Sequence, residues 1–179
     1  MLKRFLPPAV GYFLAYRDKE AIELARSNGI ENARVFDADA QPLADIFSRK
    51  FSVVVLADLL DLVVDPGYIL DQVVAALKPY GYVIISVTND NTIYHRMRVL
   101  LGKGINKTPF DAHYHFRHPT FRQWRQFLQK YFEIMECNYW ICFDKEQGKA
   151  MDFVFLSLAR IMPSLFARGS LYLCRKGNS

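Results

Sequence analysis

The stretch FSVVVLADLLDLVVDPGYILDQVVAALKPYGYVIISV, residues 51–87, decides the fold of this chain. It holds two apolar, largely β-branched runs, Phe51–Ala57 and Tyr82–Val87, joined by a helical segment, Pro66–Leu77, and a turn, Lys78–Gly81. Continuous apolar runs of strand length are typical of strands that are buried on both faces of a parallel sheet. A strand, a helix and a second strand in this order predict a βαβ crossover.

The alternation of strands and helices continues on both sides of this stretch. Upstream we predict the strand Val10–Tyr16, a helix over Asp18–Asn28 that Asp18 caps, the strand Ala33–Asp37 and a brief helical turn. Downstream we predict the helices Thr92–Leu101, Pro119–Tyr131 and Met151–Ile161 and the strands Phe132–Phe143 and Ser170–Cys174. Together these elements predict a single α/β domain over residues 1–179, with a doubly wound, mostly parallel sheet and helices on both faces.

The basic residues are concentrated in one part of the chain. The net charge is +5, and residues 94–130 hold eight Lys or Arg, one acid and all four histidines. A local basic field attracts anionic partners, although the same pattern fits a solvated helix face and a loop. We expect no nucleic-acid partner, because the aromatic residues among these cations form no recognised binding module.

The apolar runs and the cysteines bear on the compartment. No apolar run reaches the roughly 18 residues of a membrane span, so we expect none. The three cysteines, Cys137, Cys142 and Cys174, make an odd count without metal-ligand spacing. We expect them to be buried reduced thiols, with no metal site, in a cytoplasmic protein.

Several segments resemble class I S-adenosylmethionine-dependent methyltransferases, in their broad type-11 branch. The segments are residues 20–43 (EAIELARSNGIENARVFDADAQPL), residues 51–90, which include LKPYGYVIIS, and the tail LARIMPSLFARGSLYLCRK over residues 158–176. The resemblance covers about Val10 to Phe132, together with that tail. It implies an incomplete Rossmann-like methyltransferase fold and S-adenosylmethionine as the cofactor.

The resemblance also implies where the cofactor is bound. Asp39 matches the acid that contacts the adenine, with Asp37 as the nearby alternative, and Ala57 and Asp58 match the strand end that faces the cofactor. Tyr16 falls where the family has the acid that binds the ribose. The family's first strand and its glycine-rich turn have no counterpart here.

The segment FDAHYHFRHPTFRQW, residues 110–124, resembles the part of this branch that closes over the substrate. It makes residues 94–130 a substrate-side helix and loop insertion, with His113 and His115 as candidate general bases or substrate contacts. Histidine suits that role because its ordinary pKa lies near neutral pH. Thr120 is a candidate N-cap with Gln123 completing a capping box. Tyr94, Arg98 and Arg117 are candidates for orienting an anionic acceptor.

Two functions are compatible with these features. One is methyl transfer from S-adenosylmethionine to a small or lipid-like acceptor that carries an anionic group. The alternative is a degenerate, non-catalytic methyltransferase fold that acts as a binding or regulatory subunit.

The missing first strand also predicts a change in the sheet. In the family's numbering the order is 3-2-1-4-5-7-6, and unpaired inner edges are costly. We therefore expect strand two to pair directly with strand four, giving the order 3-2-4-5-7-6. The runner-up is that a homodimer or a partner subunit completes the sheet, and a third possibility is that the natural gene product is longer and this chain begins at an internal methionine.

Overall fold

The computed structural model of the chain describes residues 11–105, 117–141 and 157–177, and the chain divides into two compact units after Ser48. The described elements of the first unit are β1 (Phe13–Tyr16), α1 (Lys19–Ser27), β2 (Asn32–Val35) and α2 (Leu43–Ile46). β1 and β2 are parallel, and Tyr16 lies opposite Val35 at their carboxyl ends. These elements confirm the strand–helix–strand unit that was predicted upstream.

The ends of α1 follow from the residues that flank it. The Asp18 carboxylate accepts a hydrogen bond from the backbone N–H of Glu20 at 2.8 Å, which satisfies a donor that has no partner within the helix. Gly29, just beyond the C-terminus, has φ of 84°, a value that glycine adopts at little cost. Ile22 and Ala25 pack with Ala33 of β2 into a small core. Asp18 is therefore a helix cap, as predicted.

The second unit contains the larger sheet. Its described elements are β3 (Phe51–Ala57), α3 (Pro66–Ala76), β4 (Leu77–Thr88), α4 (Ile93–Leu100), α5 (Phe121–Leu128), β5 (Phe132–Trp140), α6 (Pro163–Phe166) and β6 (Gly169–Lys176). Residues 157–161 are also helical, and the rest of the helix predicted over Met151–Ile161 lies outside the described residues. No helix in the described ranges is both long and apolar enough to cross a membrane.

The strand order in this unit is β3-β4-β6-β5. β4 is parallel to β3, whereas β6 is antiparallel to both of its neighbours. This order corresponds to 4-5-7-6 in the predicted numbering, so the α/β fold and the order of the last four strands are confirmed. Among the described strands, β1 pairs only with β2 and β3 only with β4, so the direct pairing expected between strands two and four is wrong.

The two faces of this sheet differ in burial. Val83, Ile85 and Tyr172 are almost completely buried on one face. On the other face Val53 is 50% exposed and Val55 is 60% exposed. The expectation that Phe51–Ala57 is buried on both faces is therefore wrong for one of the two faces. An apolar run indicates that a strand can be buried, but it does not say which faces are packed against other elements.

The predicted turn Lys78–Gly81 is an irregularity within β4. Phe51 pairs with Leu77 and Val53 with Tyr82, so β4 accommodates extra residues between these two pairs. Within them Tyr80 has φ of 57°, in the left-handed region. A residue with a Cβ is strained there, and bulges of this kind bend a strand locally.

Two of the three cysteines lie in described strands. Cys137 of β5 is half-buried and Cys174 of β6 is buried, and both thiols are free. Burial raises the pKa of the Cys174 thiol to about 12, so it is protonated and unreactive at neutral pH. Cys142 lies outside the described residues.

Candidate functional site

The carboxyl ends of β3 and β4 lie side by side, with Ala57 opposite Ser86. The Ser86 hydroxyl donates to a carboxylate oxygen of Asp58 at 2.7 Å and accepts from the backbone N–H of Asp58 at 2.9 Å. Asp58 has φ of 47°, which is uncommon for a residue other than glycine and often marks functional positions. The exposed Asp58 carboxylate is therefore held in one orientation at the end of the strand.

Asp61 joins the same two strand ends from inside the protein. Its side chain is buried, and one carboxylate oxygen accepts from the backbone N–H of Thr88 at 3.0 Å and from the Thr88 hydroxyl at 2.6 Å. Hydrogen bonds to a buried carboxylate are strong, and a buried charge requires them. Asp61 thus contributes to the rigidity of this edge of the sheet.

Two asparagines after β4 connect it to distant segments. The Asn89 amide donates to the carbonyls of Ala167 at 2.8 Å and Ser164 at 3.1 Å. The Asn91 amide donates to the carbonyl of His118 at 2.9 Å. The segment that precedes α5 is therefore fixed against the end of β4, although the two are far apart in the chain.

His118 forms a pair with Asp90. The imidazole Nδ1 lies 2.9 Å from a carboxylate oxygen of Asp90, and the two side chains are 25% and 18% exposed. A carboxylate can only accept a hydrogen bond, so Nδ1 carries the proton and the Nε2 of a neutral ring has a free lone pair. A histidine oriented in this way can accept a proton from a bound molecule.

His118 lines a cleft of about 500 Å³ at the start of α3 and α5. The lining residues are Pro66, Arg117, His118, Pro119, Gln123, Trp124 and Phe127. Arg117 donates to the carbonyls of Val63, at 2.6 Å, and of Val64. These bonds fix the guanidinium of Arg117, which brings a positive charge into a cleft that is otherwise largely apolar.

The wall of this cleft is formed by the first turns of α5. The Thr120 hydroxyl accepts from the backbone N–H of Gln123 at 3.3 Å, and the Gln123 side chain accepts from the backbone N–H of Thr120 at 2.8 Å. This reciprocal pair is the predicted capping box. Trp124 is buried and packs edge-on against Phe127, with ring centroids 6.1 Å apart. A capped helix with packed aromatic residues gives the cleft a rigid side.

The sequence-predicted residues of the first unit lie at and beyond the carboxyl ends of β1 and β2. Tyr16 is the last residue of β1, and its side chain is exposed. The half-buried Asp37 accepts from the backbone N–H of Asp39 at 3.1 Å and lies 3.6 Å from Arg17. Asp39 is exposed. Asp37 therefore shapes the turn, and the Asp39 side chain is accessible to solvent.

Of the remaining predicted site residues, Ala57 lies in the described part of the chain and the two histidines do not. Ala57 is exposed at the end of β3, next to Asp58. His113 and His115 lie outside the described residues. Within the described part of the chain, no group of three His, Cys, Asp or Glu side chains is arranged to hold a metal ion.

Sequence reasoning missed the pairing of His118 with Asp90 and the role of the asparagines. The signal was the polar run Thr88–Asn91 directly after an apolar strand, which places amide and carboxylate groups at the carboxyl end of the sheet. His118 was visible only as one of four histidines in the basic stretch. Its partner lies 28 residues away, so no local pattern connects the two.

No family model matches the chain, and no curated protein matches it. Solved structures do match. A possible histamine N-methyltransferase from Thermotoga maritima is 16% identical over 98% of this chain and 86% of its own, with a TM-score of 0.61. A putative methyltransferase from Haloferax volcanii, solved with the Trm112 methyltransferase activator, is 16% identical over 99% of this chain and 77% of its own, with a TM-score of 0.60.

The N-methyltransferase NodS from Bradyrhizobium japonicum, solved with S-adenosyl-L-homocysteine, is 12% identical over 92% of this chain, with a TM-score of 0.55. The present chain spans 65% of the NodS chain. These likenesses show that the chain has the fold of S-adenosylmethionine-dependent methyltransferases, as its sequence resemblance implied.

Proposed function

We propose that the chain transfers a methyl group from S-adenosylmethionine to a small or lipid-like acceptor that carries an anionic group. The observation that carries this proposal is the sheet order β3-β4-β6-β5 with β6 antiparallel, in a fold that solved methyltransferases share. The polar groups at the carboxyl ends of β3 and β4 support it, because ligands bind at that edge in open α/β sheets.

We propose Asp39, Asp37, Tyr16, Ala57 and Asp58 as contacts of the adenosine end of the cofactor. The chemistry of the residues fits that group: Asp39 and Asp58 are exposed carboxylates that can accept from an amine or hydroxyl. The small side chain of Ala57 leaves room at the strand end. When bound, the cofactor supplies an electrophilic methyl group on a sulfonium.

The acceptor is proposed to bind in the cleft before α5. There the cation of Arg117 attracts an anionic group, and Trp124 and Phe127 form an apolar wall. The Nε2 of His118, whose Nδ1 is held by Asp90, would take up the proton that the acceptor oxygen or nitrogen loses, while the bound cofactor would supply the methyl group and leave as its demethylated thioether. His113 and His115 remain candidate contacts of the acceptor.

Two further parts of the proposal concern partners and compartment. The Haloferax methyltransferase is solved with an activator subunit, which supports a partner subunit here, with a homodimer as the other possibility. The free thiols of Cys137 and Cys174 support a reducing, cytoplasmic compartment. No specific observation favours the non-catalytic alternative.

The test measures transfer of a labelled methyl group to amines and hydroxyl compounds that carry a carboxylate or phosphate. We expect His118→Ala to lower kcat by about 10²–10⁴-fold, because it removes the proton acceptor. Asp90→Asn should lower kcat with little change in KM, since Asp90 only orients the ring.

His95→Gln is the matched control. The Nδ1 of His95 is hydrogen-bonded to the Thr92 hydroxyl at 2.8 Å, and His95 does not line the cleft. Burial lowers the pKa of its imidazole. We expect this variant to keep its activity. Equal losses for His95→Gln and His118→Ala would contradict the assigned role of His118.

A further inference from the structure

α4 places its apolar side chains in solvent. None of its residues is buried. The exposed apolar residues of the helix and of its C-cap are Ile93, Tyr94, Met97, Val99, Leu100 and Leu101. Leu100 is 77% exposed and Leu101 is 68% exposed, so most of the surface of these two residues remains in contact with solvent.

All of these exposed apolar residues except Val99 lie on one side of the helix, in a stripe with cations on either side. Ile93, Met97, Leu100 and Leu101 recur at the i, i+4, i+7 and i+8 spacing of one helix face. At about 100° per residue, Arg96 falls on one border of this stripe and Arg98 on the other. His95 lies on the opposite side, where it contacts Thr92. The apolar face of α4 therefore points away from the protein.

The two border arginines are held beside the stripe. The Nε of Arg96 donates to the carbonyl of Asn91 at 2.8 Å. The Nε of Arg98 donates to the carbonyl of Gly104 at 3.1 Å, and its guanidinium lies over the Tyr94 ring, 5.8 Å from the centroid. The anchor of Arg96 uses its Nε, so the terminal N–H groups of its guanidinium can reach an anion.

The charge of this segment has a single sign. Residues 92–105 contain Arg96, Arg98 and Lys103 and no Asp or Glu. An apolar stripe bordered by cations is complementary to a surface that is apolar inside and anionic outside, which is the make-up of a bilayer with acidic headgroups. Arginine and lysine stems can cover apolar surface while their charges reach the phosphates.

We propose that α4 docks on the surface of an anionic lipid bilayer. The stripe of Ile93, Met97, Leu100 and Leu101 enters the boundary between headgroups and acyl chains, and Arg96 and Lys103 contact headgroup phosphates. A second copy of the chain fits this face less well. In a two-fold contact the stripe of one copy meets the stripe of the other, which brings the bordering arginines of both copies together. The docking surface rests on α4 alone and is independent of the proposed methyl transfer.

The experiment is flotation of the full chain with vesicles of phosphatidylcholine, either alone or with phosphatidylglycerol as the anionic component. We expect the chain to float with the anionic vesicles only, and added salt to weaken the association. Leu100→Glu should lower the partition coefficient by about tenfold or more, since it removes a large apolar side chain from the stripe. Lys103→Gln should lower it by about fivefold.

Matched controls come from the same chain. Leu24 on α1 is 65% exposed, so Leu24→Glu makes the same chemical change elsewhere, and Lys78→Gln matches Lys103→Gln. Both controls should bind as the unchanged chain does. The proposal is overturned if the chain does not float with anionic vesicles, or if Leu24→Glu weakens flotation as much as Leu100→Glu. It is also overturned if analytical ultracentrifugation shows that Leu100→Glu dissociates a dimer while vesicle binding is absent.

Discussion

Tyr80 carries backbone strain that a change of side chain can release. It has φ of 57° within the irregular part of β4, and its side chain is exposed, so the ring contributes little packing. The left-handed conformation costs a residue with a Cβ about 1–2 kcal/mol. A glycine at this position relieves the strain, but glycine loses more conformational entropy on folding. That entropy loss costs roughly 0.4–1 kcal/mol and offsets part of the relieved strain energy.

We therefore expect Tyr80→Gly to raise the free energy of unfolding by about 0.5–1 kcal/mol, measured by urea denaturation. Tyr82→Gly, two residues along in a paired part of the strand, is the control and should be destabilising. If both variants lose stability equally, Tyr80 is not held in the left-handed region.

At this scale, sequence reasoning succeeded where the partners are neighbours in the chain. The Asp18 cap and the Thr120–Gln123 capping box depend on residues two or three positions apart, so they can be recognised from spacing. The pairing of His118 with Asp90 spans 28 residues and exists only because Asn91 and the end of β4 hold that segment. Such a contact has no local signature.

The elements themselves were predictable because apolar periodicity is a local property. β3 and α3 appear where the stretch 51–87 predicts them, and β4 contains the predicted strand Tyr82–Val87. The predicted burial of β3 was wrong, because Val53 and Val55 are exposed on one face of the strand. The pairing of β3 failed as well. Burial and pairing depend on which other element lies alongside a strand, and the residues of the strand do not encode that.

Gly169 is an element-scale constraint on the pairing of β5 with β6. It lies opposite Trp140, and a Cβ at this position would overlap carbon atoms of the indole. We expect Gly169→Ala to lower the free energy of unfolding by about 1–3 kcal/mol, because the ring must move within a packed strand pair.

Gly177→Ala, for which the added methyl group meets open space, should change the stability by less than about 0.5 kcal/mol. Thermal unfolding of both variants gives the comparison. Equal melting temperatures for the two variants would show that Trp140 does not occupy the space above Gly169.

For the whole molecule, the resemblance predicted the fold and the order of the last four strands, because these follow from the sequence of elements. It could not predict that the chain divides into two units after Ser48, which depends on contacts between distant segments. Asp39 and Asp58, two of the proposed cofactor contacts, belong to the first and the second unit respectively. A binding measurement tests the two proposed contacts directly.

The decisive measurement is a calorimetric titration of the folded chain with S-adenosylmethionine and with its demethylated product. We predict saturable binding that Asp39→Ala weakens by about tenfold or more, since a hydrogen bond to a carboxylate contributes about 1.5–3 kcal/mol. Glu23→Ala, which removes an exposed acid from α1, should leave the affinity unchanged. Absence of binding by protein shown to be folded would contradict the proposal that this chain is a methyltransferase.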